Sequence, residues 1–429
     1  MPPRSPATRN LWLERWLGRM ILAALAWVLL TGVYAHHLPP PMYYFSGDRM
    51  MDWFNTAFWA RDAGMYDNWG SIYPPLSFLL LRLLGDTGCY PAFDGVAARA
   101  CDTAGMLAIH ALYVLDVVLI ARAFLKIDRA TAVPRAIALS AGLPLVYALD
   151  RGNLMLACVP CVVLGVGPLC RASWARAAWV GAALNFKVYL LGAVVAQIAG
   201  GKWRRVERAL IAAVGVYLVS FALLGLGTPG EIAQDLIAFG SGDAPRLIDL
   251  WYPSSFVPLR SLLIADNPQL LALLGPDVGG ALIVGLPWAV HAVQLCIVAA
   301  LAAAWIRPGA VPTYRLAGLG AALALISVEA GGYAQWFVLF FVMIERWEAG
   351  FGAKWAILTC YALCMPLDIV LAAAPQGAGF PPLTLGHFLR PAMLASIPLA
   401  LSLETLARAW RTLRAGRAVA NSTMDPLAV

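Results

Sequence analysis

The sequence predicts an all-α, polytopic membrane protein with about ten full helical crossings, a few half-helices between them and both termini cytoplasmic. Three observations predict it. Hydrophobic residues fill 61% of the 429 positions and charged residues only 13%, against about 25% charged in a typical water-soluble domain. The apolar residues fall in uncharged runs such as Met20–Ala35, Ala209–Leu226 and Ala281–Ile306, near the roughly 20 residues that cross a hydrocarbon core. The net charge of +7 is concentrated between those runs: Arg4, Arg9, Arg15 and Arg19; Arg122, Lys126, Arg129 and Arg135; Lys202, Arg204, Arg205 and Arg208; Arg408, Arg411, Arg414 and Arg417. Cytoplasmic loops that retain Lys and Arg give this pattern. A nucleic-acid surface would interleave its basic residues with aromatics, and none does so; the expected partner is the lipid bilayer, not nucleic acid.

Taking the basic segments as cytoplasmic orders the elements. Helix one, about 17–36, leads out, and no small-residue cleavage site follows Ala35-His36-His37, so it is expected to stay uncleaved. Residues 37–102 form an outer segment rich in aspartate, in which Met50–Ala63 is amphipathic and Tyr73–Leu84 is too short to span. Crossings follow at about 103–124, 134–149 and 153–169. Residues 174–200 carry Arg171 and Arg176 on one flank and Lys202, Arg204 and Arg205 on the other, which a single crossing cannot satisfy. Two half-helices forming a re-entrant hairpin, with Lys187 of Asn185-Phe186-Lys187 at the tip, satisfy both flanks, because irregular backbone is tolerated where it lines a wet cavity. One ordinary helix with a snorkelling lysine is the alternative. Later crossings fall at about 207–226, 280–305, 313–329, 333–344, 354–373 and 390–406, with outer segments at 227–279 and 374–389. The chain therefore reads as a single membrane domain, 1–417, with a disordered cytoplasmic tail, 418–429.

Ionisable residues at membrane depth or its edge are candidates for chemistry, and they gather on the outer side. Asp48 and Arg49 follow helix one within an aromatic stretch; a carboxylate there suits a general base, or is a solvated loop aspartate. Asp52 shares a helical face with Asp48 if the helix starts early. Asp150-Arg151-Gly152-Asn153 forms a tight outer turn that suits phosphate or sugar hydroxyls, or is a helix cap with a surface ion pair. Lys187 suits a lipid phosphate. Trp251–Phe256 with Arg260 is an interfacial aromatic patch, Glu329–Trp336, with Tyr333 and Gln335, is an outer turn, and His387 is the histidine of an outer loop beside Arg390. Asp116 and Asp368 read as structural partners inside helices. Of eight cysteines, six lie in or beside apolar helices, whereas Cys89 and Cys101 share the first outer segment and could pair in an oxidising compartment. No Walker A loop, Rossmann glycine pattern or HExxH is present, so an enzyme here takes an activated substrate from the membrane.

An aspartate after helix one, an amphipathic helix and then Tyr73-Pro74-Pro75-Leu76 opening a short helix resembles the GT-C-fold glycosyltransferases, and most closely family 87, the polyprenol-phosphate-mannose-dependent mannosyltransferases and their bacterial relatives. Asp150-Arg151-Gly152-Asn153 resembles the family's Arg-Gly-Asn turn, Phe186-Lys187-Val188-Tyr189 its Lys-x-Tyr-Pro segment, and Ser254-Ser255 with Arg260 its Ser-Leu…Arg stretch. The chain departs from the family at Leu190, where proline is usual, and at Ser327–Trp336, which lacks the family's histidines. The resemblance implies a GT-C-like fold in a bacterial inner membrane, a polyprenyl-phosphate sugar donor, a glycan or glycolipid acceptor, and no cofactor or metal. It places Asp48 as the base, with Arg151 and Lys187 stabilising the departing phosphate; Arg49, Tyr73, Asp150, Asn153, Arg260, Tyr333, Gln335 and His387 are the further candidates for contact with donor or substrate.

The competing readings are a transporter or flippase of lipid-linked sugars, disfavoured because one broken segment has no evident mate in the other half, and a structural subunit of a polysaccharide assembly. The topology makes a direct prediction. Cysteines introduced at positions 150 and 187 should both react with a membrane-impermeant thiol reagent from the outside; labelling of position 187 from the cytoplasm alone would remove the hairpin.

Overall fold

A computed structural model describes residues 6–42, 46–90, 95–241, 252–309, 311–328, 330–373 and 382–422. Helix dominates, and among the described residues six stretches are long and apolar enough to cross a membrane. The first, α1 (Pro6–Ala35), is followed by three short helices, α2 (Met51–Trp59), α3 (Pro75–Leu84) and α4 (Gly95–Cys101). Pro75 opens α3 because the first helical turn needs no N–H from that position. Cys89 and Cys101 are joined by a disulfide with Cα atoms 5.5 Å apart. Next to it Asp102 caps α5 (Thr103–Ile127), accepting from Gly105 N at 2.8 Å, from Asp86 N at 3.0 Å and from the Tyr90 hydroxyl at 2.6 Å.

The third long stretch, Ala132–Arg151, is broken into α6 (Ala132–Ala141) and α7 (Leu143–Arg151). Pro144 has no N–H to give Ser140, and the Leu143 N–H turns instead to the Cys364 carbonyl at 2.9 Å. The two carbonyls thus released do not stay bare in an apolar interior: Ser140 O accepts from the Tyr113 hydroxyl at 2.9 Å and Leu139 O from the Trp336 indole at 3.0 Å. In this stretch 72% of the most apolar window is buried, so it is the central element.

After α8 (Met155–Val166), α9 (Ser173–Leu184) ends at Asn185 and the chain resumes through a short 3-10 turn and α10 (Leu191–Val195) before α11 (Trp203–Leu224). The segment folds back on itself, since Arg208 on α11 donates to the Ser173 hydroxyl at 3.4 Å. A straight path of that length would hold the two about 50 Å apart. Asn185 fixes the tip, its amide donating to Gly181 O at 2.9 Å and Ala213 O at 3.0 Å. Gly181 sits where a Cβ would meet the Ala212 backbone at 2.7 Å, which lets α9 lie against α11.

The remainder comprises α12 (Pro229–Ser241), α13 (Val257–Ile264), α14 (Pro268–Leu274), α15 (Pro276–Ile306), α16 (Thr313–Leu325), α17 (Gln335–Val342), α18 (Phe351–Leu363), a two-stranded ribbon of β1 (Val370–Ala372) and β2 (Leu383–Thr384), and α19 (Gly386–Ser422). α1, α11 and α15 keep exposed apolar faces, including Val33, Ile211, Leu223, Val284 and Leu295.

The elements differ from the sequence reading in four respects. Four segments expected to cross, now α8, α16, α17 and α18, have 12, 13, 8 and 13 residues; they are short helices packed largely inside the protein, so the full-length stretches number six among the described residues. The crossing expected at 354–373 stops at Leu363, ahead of Pro366, and continues as extended chain and ribbon. Asp368 therefore lies outside a helix, and it accepts from Ile369 N, Gly386 N and the Thr384 hydroxyl and pairs with Arg390 at 3.1 Å. Asp116 stays inside α5, fully buried, and neither of its oxygens has a hydrogen-bond partner among the described residues. Helix α19 runs through Ser422, so the expected tail begins as helix; Tyr43–Phe45, 374–381 of the third outer segment, Glu329 and 423–429 lie outside the described residues.

The end of the fold where α1 begins is held by buried ion pairs. Arg135 forks onto Glu14 at 2.8 and 2.9 Å and reaches Glu345 O at 2.7 Å, while the Tyr361 hydroxyl and the Trp347 indole complete the Glu14 carboxylate. Arg315 forks onto Glu345 at 2.5 and 2.7 Å and bonds Glu404 at 3.1 Å. Breaking a buried pair leaves a charge with no compensation. Arg315→Met should lower stability by about 3–5 kcal/mol, read as a fall in melting temperature in detergent, while Arg411→Met on the exposed end of α19 should leave it unchanged.

Candidate functional site

One backbone junction builds the site. α7 ends at Gly152, whose left-handed φ of 65° lets the chain turn; a Cβ there would lie 2.9 Å from Met50 O and 3.1 Å from Trp53 Cβ. The close approach allows Met50 N to donate to Asp150 O at 2.7 Å, with Met50 itself left-handed at φ 61° as the N-cap of α2. Asp52 then falls in the first turn of α2, where the helix dipole favours a carboxylate. It accepts a hydrogen bond from Arg151 and another from Asn153 Nδ2 at 2.8 Å. Asn153 Oδ1 in turn accepts from Met155 N at 3.0 Å, and Arg49 pairs with Asp150 at 3.1 Å.

Facing this group is the hairpin tip. The Lys187 ammonium lies 4.9 Å from the Tyr73 ring centroid and 5.4 Å from that of Tyr333, within cation–π range. Lys187 is only 8% exposed and has no hydrogen bond or ion pair among the described residues. Tyr73 is fixed by the Tyr66 hydroxyl, which donates to its carbonyl at 2.9 Å. Tyr333 stacks on Tyr147 at 6.3 Å and 19°. Its loop is strapped to the second outer segment by Gly332 N to Tyr252 O at 2.6 Å and Gln335 Nε2 to Pro253 O at 3.1 Å.

Between the two groups lies a cavity of about 510 Å³, within the range of small-molecule sites. Trp59 and Trp69, stacked at 5.5 Å and 19°, form a third wall, and Leu236 and Phe239 of α12 a fourth. The Trp69 indole is oriented by Asp62 at 2.9 Å, and the Gly64 N–H, followed by that indole, holds the Asp62 carboxyl below its ordinary pKa.

The sequence-derived candidates divide accordingly. Tyr73, Arg151, Asn153, Lys187 and Tyr333 line the cavity, and Asp150 and Arg49 lie behind it. Asp48 is exposed at the end of the turn Ser46–Asp48 and is not among the residues that line the cavity; α2 starts only at Met51, so the two aspartates share no helical face. Arg151 faces Asp52 rather than an open phosphate site. Arg260 donates to Ile283 O at 3.1 Å, away from the cavity, and Gln335 is fully buried behind Tyr333. His387 belongs to a separate buried group with Thr384, Asp368 and Arg390, the last lying over the Tyr252 ring at 5.1 Å. Asp52 was visible only as a face-mate of Asp48; its signal is an acidic residue at the start of an amphipathic helix. Trp59 and Trp69 carried no signal of their own. Among the described residues no group of three or more His, Cys, Asp or Glu side chains gathers as a metal site would need.

No protein-family model matches the chain, and no curated protein and no solved structure matches it either.

The junction can be tested directly. Gly152→Ala places a side chain in left-handed backbone against Met50 and should lower stability by about 1–2 kcal/mol, with the loss read in a melting curve and accompanied by faster hydrogen exchange across α2.

Proposed function

We propose that the chain is an integral-membrane glycosyltransferase of GT-C-like fold, moving a sugar (mannose or another hexose or pentose) from a polyprenyl-phosphate donor to a glycan or glycolipid acceptor at the outer face of a bacterial inner membrane. One observation carries the reading: one cavity opposes a carboxylate held by two donors, Asp52, to a buried cation with no counter-ion among the described residues, Lys187. Glycosyl transfer from a phosphate asks for this polarity, a proton acceptor on one side and positive charge on the other.

In the proposed reaction the acceptor hydroxyl attacks the anomeric carbon and gives its proton to Asp52, whose side chain is 17% exposed and keeps a free lone pair on each oxygen. The bond from the anomeric carbon to the phosphate oxygen breaks, and its electron pair leaves with the lipid phosphate, whose charge Lys187 receives. Arg151 and Asn153 are positioning residues that keep the Asp52 carboxylate aimed. The Trp59–Trp69 stack offers an aromatic face to the sugar, and Leu236 and Phe239 offer an apolar rim to the first prenyl carbons. A single base and direct displacement give inversion at the anomeric carbon.

A transfer assay with synthetic polyprenyl-phosphate sugars tests this. Asp52→Asn should lower kcat by about 10²–10⁴-fold, Lys187→Gln by about 10²–10³-fold, and Asp48→Asn by no more than a few-fold. The reverse ranking of the two aspartates would return the base to Asp48, and absence of transfer from every such donor would end the proposal.

A further inference from the structure

The hairpin has a second cavity at its base, about 320 Å³ in volume, and about 18 Å from the tip by the length of α9. Three segments bring five arginines to it: Arg171 before α9, Arg176 in its first turn, and Arg204, Arg205 and Arg208 at the start of α11. Arg176 donates to Gly165 O at 3.0 Å and Val166 O at 2.9 Å, capping α8, and Arg208 reaches Ser173. Arg171, Arg204 and Arg205 have no hydrogen bond or ion pair among the described residues, and no carboxylate lines the cavity. The floor is apolar, made by Val180, Val194, Val206 and Ala209.

Arginines retained in a loop for topology alone can spread apart into solvent. Here like charges from separate elements converge on one concave surface with no counter-charge, an arrangement that an anion stabilises. The neighbourhood says which kind of anion. Trp174 is 76% exposed and Trp203 is 55% exposed, the latter edge-on to the exposed Trp305 at 5.4 Å. Exposed tryptophans mark headgroup level in a bilayer. From the same mouth the exposed side chains of Ile211, Val214 and Leu218 continue along α11 as an apolar track for acyl carbons. Guanidinium groups bind phosphate oxygens in pairs, and basic pockets between helices are suited to lipid headgroups.

We propose that this cavity binds the phosphate headgroup of an anionic phospholipid, with its acyl chains along α11. The site is independent of the transfer reaction, and its occupant bridges α8, α9 and α11, the three helices that hold the hairpin base.

The full-length protein, delipidated in a neutral detergent, is titrated with phosphatidylglycerol, phosphatidylcholine or inorganic phosphate and read by native mass spectrometry and thermal melting. Phosphatidylglycerol should be retained about tenfold or more better than phosphatidylcholine, and should raise the melting temperature where inorganic phosphate does not. The variant Arg171→Gln/Arg204→Gln/Arg205→Gln should bind the two lipids alike, whereas Arg15→Gln/Arg19→Gln, which removes the same type of charge from α1, should keep the preference. Equal retention of both lipids by the wild type overturns the proposal, as does loss of the preference in the α1 variant, which would make it a general charge effect. Inorganic phosphate that stabilises as well as the lipid and displaces it would also overturn it, by assigning the cavity to a soluble anion. These wild-type arms decide the matter even where the triple variant fails to fold.

Discussion

The hydrogen bond from Met50 to the Asp150 carbonyl joins residues a hundred positions apart, and the cavity is arranged around it. It forms only because Gly152 has no side chain to hold the strands of backbone apart. It sets the first residue of α2, the start of α2 sets where Asp52 points, and Asp52 draws Arg151 and Asn153 into fixed positions. This network is in place without a ligand, which is what preorganised electrostatics requires. The other charge of the pair, Lys187, is held by aromatic faces instead of by hydrogen bonds.

Around that junction the fold answers a second constraint: in an apolar interior each interruption of a helix exposes backbone that must find a partner. At the α6–α7 break the partners are a tyrosine hydroxyl and an indole, and at the hairpin tip the amide of Asn185. The short helices α16 and α17 are enclosed by other protein, which is why their length need not match a bilayer, whereas α18 keeps Phe351, Trp355 and Leu358 exposed. At the end opposite the hairpin tip Arg315 pairs with both Glu345 and Glu404, and Arg408 pairs with Glu404 as well, so that neither carboxylate is stranded.

Much of this was legible in the sequence, for reasons that differ by element. Helix α5, expected at 103–124 and observed at Thr103–Ile127, is a largely apolar run with Asp102 before it and Asp128 after it. Arginines on both flanks of 174–200 pointed to a chain that turns back, and Ser173 and Arg208 do meet. By contrast, the place of Asp52 in the cavity depends on a contact between Met50 and residue 150 that no local pattern encodes. Arg135 read as a topology charge, yet it is buried against Glu14; burial is a property of the packed helices, and a charge count is blind to it. Gln335, Arg260 and His387 were plausible by residue type, but their hydrogen bonds are directed to the frame and not the cavity.

The disulfide between Cys89 and Cys101 has a consequence in time as well as in space. The two sulfurs close the connection just ahead of the Asp102 cap on α5, and such bonds are rare outside an oxidising compartment. In the outward orientation proposed above, the segment carrying α2, α3 and α4 would reach its final covalent form only after export. Maturation of the cavity wall is then separated from synthesis of the chain: a molecule left in a reducing compartment could hold every helix and still lack its finished cap.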